Sequence, residues 1–176
     1  MLISKTMTAL LNEQVGNELF ASNQYLAVSA YFDGEGLPAL AKHFLKQSNE
    51  ERAHALRFVR YILDAGGALA IPAIPAAART FTNTATAVKT GLDSELKVTK
   101  QINHLVDVAI KERDHLTKNA MEWFVNEQRE EVASMDTLLR MVKRAGEPGM
   151  FFVENFLLQG GLAGDAAEAG AEDADA

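Results

Sequence analysis

The chain contains no cysteine. That absence excludes disulfides, thiolate nucleophiles, zinc fingers and Cys-held iron–sulfur clusters, so any metal must be held by oxygen and imidazole. Proline is scarce, with 4 in 176 residues, and aromatics make up 7%, which leaves little material for a turn-rich β architecture. No apolar run approaches the ~18 residues that span a bilayer. The opening Met1-Leu-Ile-Ser-Lys5 lacks the charged, apolar and cleavage regions of a signal peptide, so the expected location is the cytoplasm. A basic face is missing as well. Of the net charge of −7, five charges come from Asp165, Glu168, Glu172, Asp173 and Asp175, leaving 19 acids against 17 bases in residues 1–159. Nothing in that balance would release counterions from nucleic acid, and neither nucleic acid nor membrane is an expected partner.

What is present suits one helical domain. Hydrophobic residues at 48% and charged residues at 23% are ordinary globular usage. Breakers fall at Gly34, Gly36 and Pro38, at Gly66-Gly67, Pro72 and Pro75, at Glu112-Arg-Asp114, and at Gly146, Pro148 and Gly149. They predict helices at about 4–33, 38–65, 82–111 and 114–145, with a short fifth at about 148–158. Segment 66–81 is long and non-helical, enough to carry the chain along a bundle instead of turning it straight back. The domain is thus expected to span 1–159, and the Ala, Gly and acid stretch 160–176 to be a disordered tail. Gly34-Glu-Gly36-Leu-Pro-Ala39 mimics a relaxed dinucleotide-binding pattern, but it follows a helix instead of a strand. It reads as a helix stop and restart.

Stepping by alternating fours and threes along each helix traces its core-facing stripe. The first stripe runs Leu11, Val15, Glu18, Ser22, Tyr25, Ser29, Phe32, and the second Leu40, Phe44, Gln47, Glu51, His54, Phe58, Tyr61. The third runs Val88, Leu92, Glu95, Thr99, Ile102, Val106, and the fourth Met121, Phe124, Gln128, Glu131, Met135, Leu138, Val142. Every stripe is interrupted by a glutamate near its middle, and none carries a lysine or arginine. Four unpaired buried carboxylates would each cost several kcal/mol, so a cation is the natural counterpart. Glu18, Glu51, Glu95 and Glu131 with His54 match two divalent ions in charge, and oxygen-rich ligation with one nitrogen suits iron or manganese. Glu51 and His54 form Glu-x-x-His, whose i and i+3 side chains project from one face; the fourth helix offers Gln128-x-x-Glu131.

Taken together, Asn17-Glu18-Leu-Phe-Ala-Ser-Asn-Gln-Tyr25, Ala41-Lys-His-Phe44, Glu50-Glu51-Arg-Ala-His54, Asp93-Ser-Glu95 and Trp123-Phe-Val-Asn-Glu127-Gln128-Arg-Glu-Glu131 resemble the ferritin family, specifically its non-haem bacterial type. The resemblance covers residues 5–158 and implies an all-α four-helix bundle with a long crossover and a short fifth helix. It further implies a homo-oligomeric shell of 24 subunits that oxidises Fe(II) with O2 or H2O2 at a diiron ferroxidase centre and stores a ferric mineral. Position by position, Glu18 and His54 look like ligands of the first iron, Glu51 like the bridge, and Glu95 and Glu131 like ligands of the second. Gln128 resembles a weak or neighbouring partner, and Tyr25 the family tyrosine beside the irons. Glu50, Glu127 and Glu130 resemble the acids that hold a third iron in many bacterial ferritins.

Departures from relatives bear on the transfer. Bacterioferritins carry two Glu-x-x-His motifs and a haem-ligating methionine between Glu and His, where this chain has Gln128-x-x-Glu131 and Arg52, so no haem is expected. The acidic pair of the three-fold pores of animal ferritins maps onto Lys118 and Met121. Two rival functions fit the same ligands in part. A diiron oxygenase or peroxidase without storage would need a substrate pocket beside the metals, and an iron-inert shell subunit would have lost a ligand. His43, His104 and His115 join no constellation.

Overall fold

The computed structural model describes residues 2–78 and 80–162. Four long helices, α1 (Lys5–Gly34), α2 (Pro38–Asp64), α3 (Thr84–Glu112) and α4 (His115–Ala145), are followed by a 3-10 turn at Glu147–Gly149 and a short α5 (Met150–Leu158). No strand occurs among the described residues. Each long helix lies within two residues of its predicted bounds. Local chemistry explains why: Ser4, Asn83 and Asp114 accept bonds from the backbone N–H groups of Met7, Thr86 and Thr117 at the starts of α1, α3 and α4. α3 ends on Arg113, which holds a left-handed φ of 58° and so lets α4 turn back at once.

The four helices run up, down, down and up. α2 returns antiparallel to α1, and the long connection then travels beside α1 in the same direction as α1. Asn12 fixes its beginning, donating to the Ala68 carbonyl at 2.9 Å and accepting from the Ala70 N–H at 2.6 Å. Gln24 accepts from the Ala78 N–H at 3.0 Å further up. Between them Gly16 lets the Pro72 ring lie directly on α1, where a Cβ would overlap it. The crossover therefore delivers α3 to the top of the bundle, parallel to α2. At the foot, the Ser4 hydroxyl donates to Glu112 Oε2 at 2.6 Å.

α2 lacks a side-chain cap of its own, since Leu37 and Pro38 stand at its start. Glu154 of α5 supplies one: the backbone N–H groups of Ala39 and Leu40 donate to its two carboxylate oxygens, each at 2.8 Å. Of α5's large apolar residues, Phe151, Phe152 and Leu158 stay exposed in the single chain, while Met150 and Val153 are buried. Phe156 and Leu157 are half-buried, less open than an all-round apolar helix suggests.

The core is in two parts. A lower cluster gathers Met7, Leu11, Val15, Phe58, Ile62, Ile102 and Phe124, and an upper one Tyr25, Phe32, Leu40, Phe44, Val88, Met135 and Leu138. Between them lies a layer of buried polar side chains. The predicted tail begins at Gly160; its first residues form a turn, with Leu162 packed against the upper cluster, and 163–176 lie outside the described residues. No helix among the described residues is long and apolar enough to cross a membrane.

Candidate metal centre

The polar layer is built from one turn near the middle of each long helix: Glu18 on α1, Glu51 and His54 on α2, Glu95 on α3, Gln128 and Glu131 on α4, all buried. The two apolar clusters above and below hold the helices in register, so these side chains face one another and a few polar neighbours such as Gln14 and Tyr25. Glu18, Glu51 and His54 bring ligand atoms within 4.8 Å of one another. Glu51 lies beside Glu18, and the charge of Glu95 acts on it as well. Gln128 Nε2 donates to Glu95 Oε2 at 2.9 Å. The Tyr25 hydroxyl donates to Glu95 Oε1 and lies 3.2 Å from the Gly91 carbonyl.

Burial dominates the electrostatics. It raises the pKa of all four glutamates above the ordinary carboxylate range, most strongly for Glu51 and Glu131, where neighbouring carboxylates add to it. The same burial pushes the Tyr25 phenol up and the His54 imidazole down. A neutral imidazole is the form that ligates metal. Without a cation that burial favours protonated carboxyls in the layer, at Glu51 and Glu131 most strongly.

Three acceptors in the layer, Glu18 Oε2, Glu51 Oε2 and Gln128 Oε1, are buried with no hydrogen-bond partner in the protein. Buried oxygens are rarely left so, and two of them belong to Glu18 and Glu51, whose ligand atoms lie within 4.8 Å of each other and of His54, which suits a cation that accepts lone pairs. Carboxylate oxygens with one imidazole nitrogen and no sulfur fit iron or manganese.

The sequence reading passed over several neighbours. Gln14 donates to Glu18 Oε1 at 2.8 Å; it lies one turn before Glu18 on the same face, which is the signal that could have found it. Trp123 meets the His54 ring edge-on at 5.3 Å, and the Arg57 guanidinium lies 4.0 Å over the indole. That stack fixes the outer side of the imidazole.

The proposed third-iron acids divide. Glu127 offers a ligand atom within 4.8 Å of those of His54 and Glu131. Glu50 instead pairs with Lys46 at 2.8 Å and accepts from Gln47 Nε2 at 2.5 Å, while Glu130 pairs with Arg129 at 2.9 Å. Of the pore positions, Met121 is fully enclosed in the lower core and Lys118 pairs with Glu122 at 3.0 Å. His43 stands apart, its pKa lowered by burial to about 4, on the wall of a cavity of about 350 Å³ that Lys42, Lys46, Gln47, Leu157 and Leu162 also line.

A four-helix bundle with a long crossover, split by a buried layer of four carboxylates and an imidazole, defines the ferritin-like class of helical metal proteins. The comparisons agree: the family model described as ferritin-like domain matches residues 8–145. The chain belongs to the ferritin family. Ferritin BfrB of Mycolicibacterium smegmatis is 46% identical over 149 residues, covering 85% of this chain and 82% of that one. A bacterial non-heme ferritin of Bacteroides fragilis is 34% identical over 158 residues, covering 90% and 99%. Among solved structures, an open pore ferritin from Archaeoglobus fulgidus superposes with a TM-score of 0.86 at 30% identity, covering 89% of this chain and 96% of that one. Iron storage is the function this family membership carries.

Proposed function

We propose that this chain is a ferroxidase as well as a container: it binds two Fe(II) as substrate in the polar layer, oxidises them, and stores the ferric product inside a homo-oligomeric shell of 24 subunits. The observation that carries this reading is the set of unpartnered buried oxygens on Glu18, Glu51 and Gln128 within a layer that otherwise lacks a counter-charge. Glu18 and His54 hold one ion, Glu95 and Glu131 the other, and Glu51 bridges them. Gln128 and Tyr25 steady Glu95 through the bonds they donate to it. Arriving ions displace the protons that the metal-free layer holds, so binding releases acid.

Each Fe(II) gives up one electron, so a pair reduces O2 with two protons to H2O2, or H2O2 with two protons to two waters. Fe(III) then hydrolyses, releasing further protons, and leaves for the mineral. Haem has no part in this reading, since Arg52 and Ala53, and no methionine, lie between Glu51 and His54. Phe151, Phe152 and Leu158 on α5, exposed in the single chain, supply apolar surface for the contacts that close the shell. The non-storage oxidase is less well supported, because none of the five ligand candidates lines the cavity beside α5.

Anaerobic Fe(II) titration followed by rapid mixing with O2 tests the centre. Two tight ions per subunit and a fast oxidation phase are expected. Fewer than two, or a rate no faster than iron in buffer, overturns the reading. Light scattering tests the shell, for which about twenty-four times 19.2 kDa is expected.

A further inference from the structure

Each carboxylate of the layer offers two oxygens, and its neighbours decide which of them is left open. On Glu95 both are engaged, Oε1 by the Tyr25 hydroxyl and Oε2 by Gln128 Nε2. On Glu18 the two are unequal: Oε1 accepts from Gln14 Nε2 at 2.8 Å, while Oε2 is buried without a hydrogen-bond partner among the described residues. Gln14 stands one turn before Glu18 on α1 and is only 2% exposed, so water has little access to take its place. The amide is held in turn, because Gln14 Oε1 accepts from Asn17 Nδ2 at 3.3 Å. That bond selects an orientation. Turned end for end, the Gln14 amide would set its carbonyl against Glu18 Oε1 and its own donor against Asn17 Nδ2, acceptor on acceptor and donor on donor.

Resting on the two-ion centre proposed above, we propose that Gln14 is a positioning residue for the ion that Glu18 holds: it occupies Oε1 and leaves Oε2 to meet the metal, with Asn17 deciding which end of the Gln14 amide faces Glu18. A carboxylate bound at one oxygen no longer spins about its Cγ–Cδ bond, so the open oxygen keeps one direction before any ion arrives. An unanchored glutamate would have to give up that freedom on binding. Gripping the ion with both oxygens would draw Oε1 away from Gln14 Nε2 and leave a buried donor unpaired. Gln14 thereby sets both the affinity of this ion and the number of oxygens Glu18 gives it. Glu95 takes its bonds from Tyr25 and Gln128 instead, so the second ion does not depend on Gln14.

Anaerobic titration of the assembled protein with Co(II), read by calorimetry and by its visible d–d bands, compares wild type with Gln14→Met and Asn17→Asp. Methionine keeps the length of the glutamine side chain and donates nothing. In Gln14→Met one ion should lose about tenfold in affinity. Its bands should also weaken, because the freed Glu18 chelates through both oxygens and raises the coordination number, while the other ion keeps its affinity and spectrum. Asn17→Asp should do the same, since a carboxylate there accepts from Gln14 Nε2 and turns the carbonyl toward Glu18. Its negative charge alone would tighten a cation, so a loss separates the turned amide from plain electrostatics. Unchanged affinity and bands in Gln14→Met overturn the role of Gln14 and leave the two-ion centre standing. Equal losses at both ions overturn it too, as they mark a general loosening of the bundle. Affinity in Asn17→Asp equal to or above wild type overturns the part given to Asn17. A wild type that fails to bind two Co(II) is a failure of the centre itself, and the role of Gln14 falls with it.

Discussion

Replacing Glu51 by glutamine keeps the side chain's volume and removes its charge at the most crowded point of the layer. Glu51 is 2% exposed, one of its oxygens has no partner, and burial with the charges of Glu95 and Glu18 raises its pKa well above 4.5. A carboxyl whose folded pKa is raised stabilises the fold below its unfolded value, and that contribution is lost as pH climbs through the folded value. In metal-free wild type the loss therefore sets in above about pH 4.5, whereas the amide of Glu51→Gln does not titrate. At pH 5 the two chains should melt alike. At pH 8 the variant should be more stable by about 2 kcal/mol, the order of the cost of an uncompensated buried polar group, or about 4–8 °C for a chain of this length. The ordering should invert when Zn(II) is added, if Glu51 bridges the two ions as proposed, because only wild type keeps both carboxylate oxygens. Helical circular dichroism at pH 5, 6.5 and 8, in chelator and a fixed concentration of guanidinium, measures this. A gap that does not vary with pH, or a variant less stable at pH 8, refutes the reasoning.

Glu18→Ala and His54→Ala should each slow the fast phase of Fe(II) oxidation by about 100-fold or more, since losing even a supporting partner of a metal ligand costs 10–100-fold; helical content should be unchanged, and a wild-type initial rate in either would remove that residue from the site. Tyr25→Phe deletes one bond to Glu95 without deleting a ligand, so stopped-flow rates should fall by about tenfold with two ions still bound in titration. Phe151→Glu with Phe152→Glu should yield small helical species in sedimentation velocity that oxidise Fe(II) but let a precipitate form; full shells retaining soluble iron would place the interface elsewhere. Gly16→Ala drives a methyl into the Pro72 ring, and should speed hydrogen exchange at Ala70 and Ala78, whose N–H groups bond to Asn12 and Gln24.

The bundle was legible because its punctuation is local. Ser4, Asn83 and Asp114 cap their own helices and Gly146 ends α4 with φ 62°, so the stops and starts are written within a few residues of where they act. The burial of the four glutamates was legible for a related reason: a glutamate in the middle of an apolar stripe is costly alone, and four of them on four helices admit few explanations. Two things escaped. The cap of α2 comes from Glu154, more than a hundred residues away, and no local pattern marks a carboxylate as bound for another helix's first turn. The fate of Glu50 escaped as well, because a run of acids does not reveal which of them a lysine one turn earlier will hold.

Glu154 has a consequence for how shells come together. Its carboxylate ties α5 to α2 through two 2.8 Å bonds inside one chain, so the fifth helix needs no neighbour to find its direction. Phe151 and Phe152 are then presented on a preformed surface, and association does not have to order a floppy segment at the moment of contact. The clamp also separates two levers that an engineer would want apart. If α5 meets other copies as proposed, changing Phe151 or Phe152 would alter how strongly copies adhere, while changing Glu154 would alter whether that surface is aimed at all, so assembly could be made conditional from a position that no neighbouring subunit need touch.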